Sequence, residues 1–164
     1  METELRDQEI IVLHGVPRSG KTTWARAYID ANPIVKRLSR DDLRNMVDNG
    51  TYSPAREKFI LELRDVLIER ILIQGYSVLL DDTNLKERDL QQLTFGAPTY
   101  MRGKLTIPCR SVFFNTPLEE CIRRDSLRVS PIGAKRILEM YDSFLGMQDI
   151  TWLPSTSVDG MVPV

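Results

Sequence analysis

The chain has 164 residues, 42% hydrophobic and 27% charged. That is enough for one globular domain with its own core and no need of disulfide help. A net charge of −1 does not announce a nucleic-acid binder, no apolar run approaches the ~18 residues of a membrane span, and one His beside two unclustered Cys argues against structural zinc.

The N-terminus, Met1-Glu2-Thr3-Glu4, has no apolar h-region, so the expected compartment is the cytoplasm, with Cys109 and Cys121 as free buried thiols. Charge is unevenly placed. Residues 101–136 hold eight bases and three acids, whereas residues 137–164 hold four acids and no base. The basic stretch reads either as a solvated face or as a surface that meets phosphates.

In chain order, Ile10-Ile11-Val12-Leu13-His14 reads as a buried strand. A glycine-bearing turn leads to a helix over about 21–31, stopped by Asn32-Pro33. A second strand spans Ile34–Leu38, and Ser39 caps a short helix ending near Asn49-Gly50. Ser53-Pro54 opens a long helix, with Phe59, Leu63, Leu67 and Ile71 expected on its core face and Gly75 at its end.

Tyr76–Asp81 forms the third strand and 86–95 a helix. Arg110–Phe114 is the fourth strand. Thr116-Pro117-Leu118-Glu119 matches a capping box for a helix towards Arg128. Ser130-Pro131 opens a last helix to about Met147, and a tail without pattern follows from Thr151. Alternating strands and helices predict an α/β fold: a parallel sheet of four to five strands, covered on both faces.

Gly15-Val16-Pro17-Arg18-Ser19-Gly20-Lys21-Thr22 fits G-x-x-x-x-G-K-S/T at every fixed position, between a strand and a helix. The glycines let backbone N–H groups converge on one centre, and the following helix adds its partial positive charge. Lys21 is expected on the β- and γ-phosphates of ATP, with the Thr22 hydroxyl on Mg²⁺. Asp81 or Asp82 ends the third strand where a second acid faces magnesium. An Asp there equally caps the turn through Thr83-Asn84. His14, Trp24 and Tyr28 are expected to pack in the core. Tyr52, Tyr100 and Trp152 are aromatic candidates for stacking a base.

Several residues outside this loop resemble the kinase domain of phage polynucleotide 5′-hydroxyl kinases. They are Trp24-Ala25-Arg26, Asn32-Pro33, Ser39-Arg40-Asp41-Asp42-Leu43-Arg44, Asp82-Thr83-Asn84-Leu85, and Arg124 and Arg128 with Pro131-Ile132 and Met140-Tyr141 behind them. The resemblance spans about residues 10–147. It implies a P-loop kinase domain over 1–150 with a helical lid around 117–131. It further implies transfer of the γ-phosphate of ATP to 5′-OH ends of DNA or RNA.

Two departures matter. No D-x-D-x-T phosphatase motif is present, and Arg18 stands where such loops often carry Gly.

The resemblance gives the residues roles. Gly15, Ser19, Gly20, Lys21, Thr22 and Thr23 would hold ATP. Asp41 would take the proton of the acceptor hydroxyl as general base. Arg44, one turn along the same helix face, would hold acceptor phosphate or pair with Asp41. Asp82 would orient Arg44 or the acceptor. Arg124 and Arg128, one helical turn apart, would close over the β- and γ-phosphates. A kinase for a sugar, nucleoside or antibiotic shares most of this machinery, and a non-catalytic nucleotide-binding module is the third alternative. A homo-oligomer is compatible with all of them.

Overall fold

The computed structural model describes residues 8–95, 107–151 and 153–159. Its strands are β1 (Ile10–His14), β2 (Val35–Leu38), β3 (Ser77–Leu80), β4 (Cys109–Phe114) and β5 (Ser155–Val158). Its helices are α1 (Lys21–Ala31), α2 (Arg40–Asp48), α3 (Pro54–Ile73), α4 (Glu87–Phe95), α5 (Leu118–Ser126) and α6 (Ala134–Gln148). The five strands form one parallel sheet in the order β2-β3-β1-β4-β5.

Every residue of β1 is buried because the sheet is covered on both faces. The period of two sorts the side chains. Ile10, Val12, Val78, Leu80 and Phe113 meet Ile68 and Leu72 of α3 and Ile137 and Phe144 of α6. Ile11, Leu13, Leu79, Val112 and Phe114 meet Trp24, Ala25 and Tyr28 of α1. Burying each such side chain is worth about 1.5–3 kcal/mol. The core thereby fixes the carboxyl ends of the strands, where open α/β sheets place their ligands.

Local chemistry sets most helix ends as expected. The Ser39 Oγ accepts from Asp42 N and the Ser53 Oγ from Arg56 N, with Pro54 opening α3. Asn49 and Gly50 end α2 in the left-handed region.

Other expectations are corrected. The buried row of α3 is Ile60, Arg64, Ile68 and Leu72, and Phe59 is 54% exposed. Two apolar rows run side by side along α3, and packing selected the one that a charged Arg64 interrupts. Thr116 does not cap α5 but donates to the Ser19 carbonyl at 2.8 Å. The helix α5 stops at Ser126, so Arg128 lies beyond it, and α6 starts at Ala134 after Gly133, not at Ser130-Pro131. The segment after Thr151 supplies the edge strand β5, paired with β4. Its Ser-Thr-Ser-Val sequence has no apolar alternation, since only one flank of that strand is paired.

His14 ends β1 fully buried, stacked on Phe113 at 4.7 Å. Its Nδ1 lies 2.7 Å from the Asn84 carbonyl and its Nε2 2.9 Å from the Ser111 hydroxyl. A carbonyl only accepts, so Nδ1 carries the proton and Nε2 accepts from Ser111. Burial lowers the pKa of His14 from 6.5 to about 4.

The unfolded chain therefore binds the extra proton first, and stability falls as pH drops from 6.5 to 4. The loss approaches ~3 kcal/mol. A melting-temperature advantage of wild type over His14→Gln should shrink across that window. A constant difference from pH 7 to 4.5 would contradict the buried neutral imidazole.

Candidate active site

The loop after β1 closes around its own glycines. A Cβ on Gly15 would meet Ser19 Oγ at 2.6 Å and Phe114 Cβ at 3.2 Å, so only Gly fits. Gly20 sits at φ 94° and turns the loop into α1. Gly15 N donates to Thr83 O at 3.3 Å, and Asn84 Nδ2 to Leu13 O at 2.7 Å. The Asp82-Thr83-Asn84 segment thus buckles the end of β3 to the start of the loop.

Lys21 is buried, and its Nζ donates to Gly15 O and Val16 O, both at 2.8 Å, and to Ser19 Oγ at 3.3 Å. Burial lowers its pKa from 10.5 to about 8, opposed first by Asp81 and then, among others, by Asp82 and Asp41. An ammonium held only by carbonyls and a hydroxyl is free to turn to an incoming phosphate. Beside it a cavity of about 250 Å³ is lined by Arg18, Gly20, Lys21, Thr22, Thr23 and Arg26. Three cations and two hydroxyl donors around one concavity suit a polyanion.

The two acids after β3 divide their work. Asp81 is buried, and its Oδ2 takes the Arg37 guanidinium at 2.6 Å. Arg37 also binds Asp42 at the start of α2. The Asp81 Oδ1 is buried and has no hydrogen-bond partner among the described residues. A carboxylate oxygen and the exposed Thr22 hydroxyl are both hard donors of the kind Mg²⁺ takes.

Asp82 does something else. Its Oδ1 accepts from Arg40 N at 2.9 Å, and its Oδ2 stands 3.2 Å from Arg40 Nε. Burial raises its pKa, against the pull of Arg40. Asp82 therefore anchors the first residue of α2 rather than Arg44.

Arg44 is oriented by Glu57, at 2.8 Å, and by Asp41, at 2.6 Å. Glu57 also reaches Arg40 at 3.3 Å. The chain Asp82–Arg40–Glu57–Arg44–Asp41 runs from the P-loop side to the exposed carboxylate of Asp41, 82% accessible.

Arg37, Arg40 and Glu57 were not assigned from sequence. Glu57 is 13 residues from Arg44, on another helix, and no periodicity joins them. Tyr52 lies under Arg44 at 5.8 Å. Tyr100 and Trp152 fall outside the described residues.

The paired arginines do not share a helix face. Arg124 is buried in α5, tied to Glu120 at 2.6 Å and donating to Arg18 O at 3.2 Å. It braces the phosphate loop from below. Arg128 follows the helix, with its guanidinium 3.6 Å from Asp125 and partly open to solvent. Asp125 accepts from Ile132 N and Gly133 N at 3.1 and 2.9 Å, which folds the segment back towards α6.

A central strand, a curled glycine loop, a buried lysine and a helix N-terminus define a P-loop phosphate-binding protein on a kinase-like sheet. Residues 10–144 match the family described as an AAA domain, and the chain belongs to it, a family of P-loop kinases.

Among curated proteins, the L-seryl-tRNA(Sec) kinase of Methanococcus maripaludis is 27% identical over 92% of this chain and 58% of its own length. A chain in the Pnkp1/Rnl/Hen1 complex is 28% identical, with TM-score 0.62 over 75% of this chain and 40% of that one. A chain of the Pnkp1/Rnl/Hen1 RNA repair complex is 24% identical, with TM-score 0.76 over 93% and 49%. A gluconokinase from Sinorhizobium meliloti shares the fold at 17% identity and TM-score 0.61, over 96% and 89%. The chain thus spans about three fifths of the curated relative and under half of the repair-complex chains.

Proposed function

We propose that the protein is a polynucleotide 5′-hydroxyl kinase that moves the γ-phosphate of ATP to the 5′-OH end of DNA or RNA. The observation that carries this is the Asp41–Arg44 pair, held by Glu57 and Arg40 within electrostatic reach of Lys21. Phosphoryl transfer needs positioning, charge neutralisation and a proton acceptor, and this arrangement offers all three. Lys21 and the loop N–H groups hold the terminal phosphates. Asp41 accepts the proton of the attacking hydroxyl, and Arg44 holds the acceptor's phosphate beside it. Arg128 adds charge from the lid.

Thr22 and Asp81 are the residues that would hold Mg²⁺, which when bound would neutralise charge on the transferring phosphates. A second cavity, of about 390 Å³, runs from Arg40 and Thr83 past Lys86 to Arg136 and Met140. Asp89 and Glu139 line it as well, and Glu139 pairs with Arg136 at 3.0 Å, which leaves Arg40 and Lys86 as the cations for a strand leading away from the reacting end. The likeness to a chain of the Pnkp1/Rnl/Hen1 complex supports an acceptor hydroxyl on nucleic acid, and the likeness to a seryl-tRNA kinase supports an acceptor carried by RNA.

The test is transfer of labelled γ-phosphate to matched 5′-OH DNA and RNA oligonucleotides, with a nucleoside, gluconate and seryl-tRNA as competing acceptors. Labelling of the oligonucleotides well above the others is expected. Preference for any of the other three assigns the acceptor to that class instead.

A further inference from the structure

We infer that Arg18 is a phosphate-binding residue of the P-loop, contributing a side-chain cation on top of the backbone cradle. The inference rests on the nucleotide site and is independent of the acceptor.

Three observations meet at this residue. Arg18 sits at φ 68°, and the other left-handed non-glycine residues in the described chain are Asn49 and Asn84. Asn adopts that region far more readily than Arg. Glycine would fit without strain, so the side chain is kept at a conformational cost. The Arg18 Nε is buried and has no hydrogen-bond partner among the described residues. A buried guanidinium N–H without an acceptor is rare and marks a missing partner. Lastly, Arg18 lines the 250 Å³ cavity with Lys21, Thr22 and Thr23. Its carbonyl meanwhile accepts from Arg124 Nη1, which fixes the backbone from which the side chain projects.

The missing partner is an acceptor, and the cavity's lining calls for an anion with several oxygens. Phosphate oxygens of a nucleoside triphosphate satisfy both. Loop, lysine and Arg18 then form a cage in which one donor set is backbone and two are side-chain cations. The Arg geometry allows two parallel bonds to one phosphate, which Lys cannot give.

The test compares wild type with Arg18→Gly, Arg18→Asn and Arg18→Lys, using ATP, ADP and AMP as probes in calorimetry beside melting curves. Arg18→Gly should melt roughly 2–4 °C higher without ligand, because the strained φ is relieved. It should bind ATP at least ~10-fold more weakly, the scale of one charge-assisted bond, with AMP affected much less. Arg18→Asn keeps a residue tolerant of this φ and should lose ATP affinity equally; Arg18→Lys should recover part of it.

Three results would overturn the inference. Unchanged ATP affinity in Arg18→Gly removes the phosphate role. Full affinity in Arg18→Asn assigns any loss in the Gly variant to loop flexibility. A lower melting temperature in Arg18→Gly makes Arg18 a structural residue. Wild type failing to bind ATP would instead be a failure of the nucleotide site itself.

Discussion

Lys21→Met should abolish phosphoryl transfer without weakening the fold. The lysine supplies a preorganised charge to the phosphates, and losing one such donor costs ~10²–10³ in turnover or more. Stability should move the other way. Burial holds the folded-state pKa at about 8 against 10.5, so the charged form is disfavoured in the ligand-free protein. Between those values the unfolded chain binds more protons, and wild-type stability rises as pH rises from 8 to 10.5. At pH 7 the protein carries the full cost of the buried ammonium. Met has similar length and no charge, so Lys21→Met should melt at or above wild type at pH 7, with the gap closing above pH 10. Retention of more than a tenth of wild-type turnover would count against the P-loop assignment, since ~1.4 kcal/mol is too little for this charge.

Asp41→Asn is expected to lower kcat by ~10²-fold or more, the scale of a lost general base. The carboxylate is exposed and, among the described residues, makes one ion pair, with Arg44. Removing its charge leaves Arg44 still paired with Glu57. Melting temperature and ATP affinity should therefore stay near wild type. Asp42→Asn is the matched control. Asp42 binds Arg37, which holds Asp81, so its loss should act on nucleotide binding more than on the chemical step. Single-turnover phosphorylation of a 5′-OH oligonucleotide separates the two. If Asp42→Asn is inert and Asp41→Asn active, α2 presents its other side to the acceptor. If both keep full turnover, the proton leaves by another route and the pair serves α2 alone.

The two carboxylates also show how much of the site could be read in the sequence. Asp41 and Arg44 sit three residues apart on one helix, and that spacing alone brings their side chains together. The P-loop is legible for a similar reason, because all its donors lie within eight residues. Glu57, by contrast, joins Arg40 and Arg44 from another helix. Asp81 and Arg37 meet across neighbouring strands that are 44 residues apart in the chain. Asp82 was expected to orient Arg44 or the acceptor, but the register of β3 against β2 delivers its carboxylate to Arg40. The lid arginines look like a helical pair until α5 ends at Ser126. Pro131 bars helix at Ser130, but nothing in Leu127-Arg128 forbids a little more of it; Asp125, accepting from Ile132 N and Gly133 N, folds the chain away sooner.

By itself, then, the sequence determined what short-range physics controls. It set the run of β1, the glycine turn that no Cβ can replace, the Ser39 and Ser53 caps, the Pro54 start and the alternation that makes a parallel sheet. These depend on interactions within about eight residues, which periodicity and capping chemistry express directly. Tertiary structure decided which apolar row of α3 is buried, that 155–158 joins the sheet as β5, that Thr116 ties to the P-loop, and which acid serves which arginine. Those choices are made by partners far apart in the chain. Burial there is a competition between nearly equivalent faces, settled only when the whole core is packed.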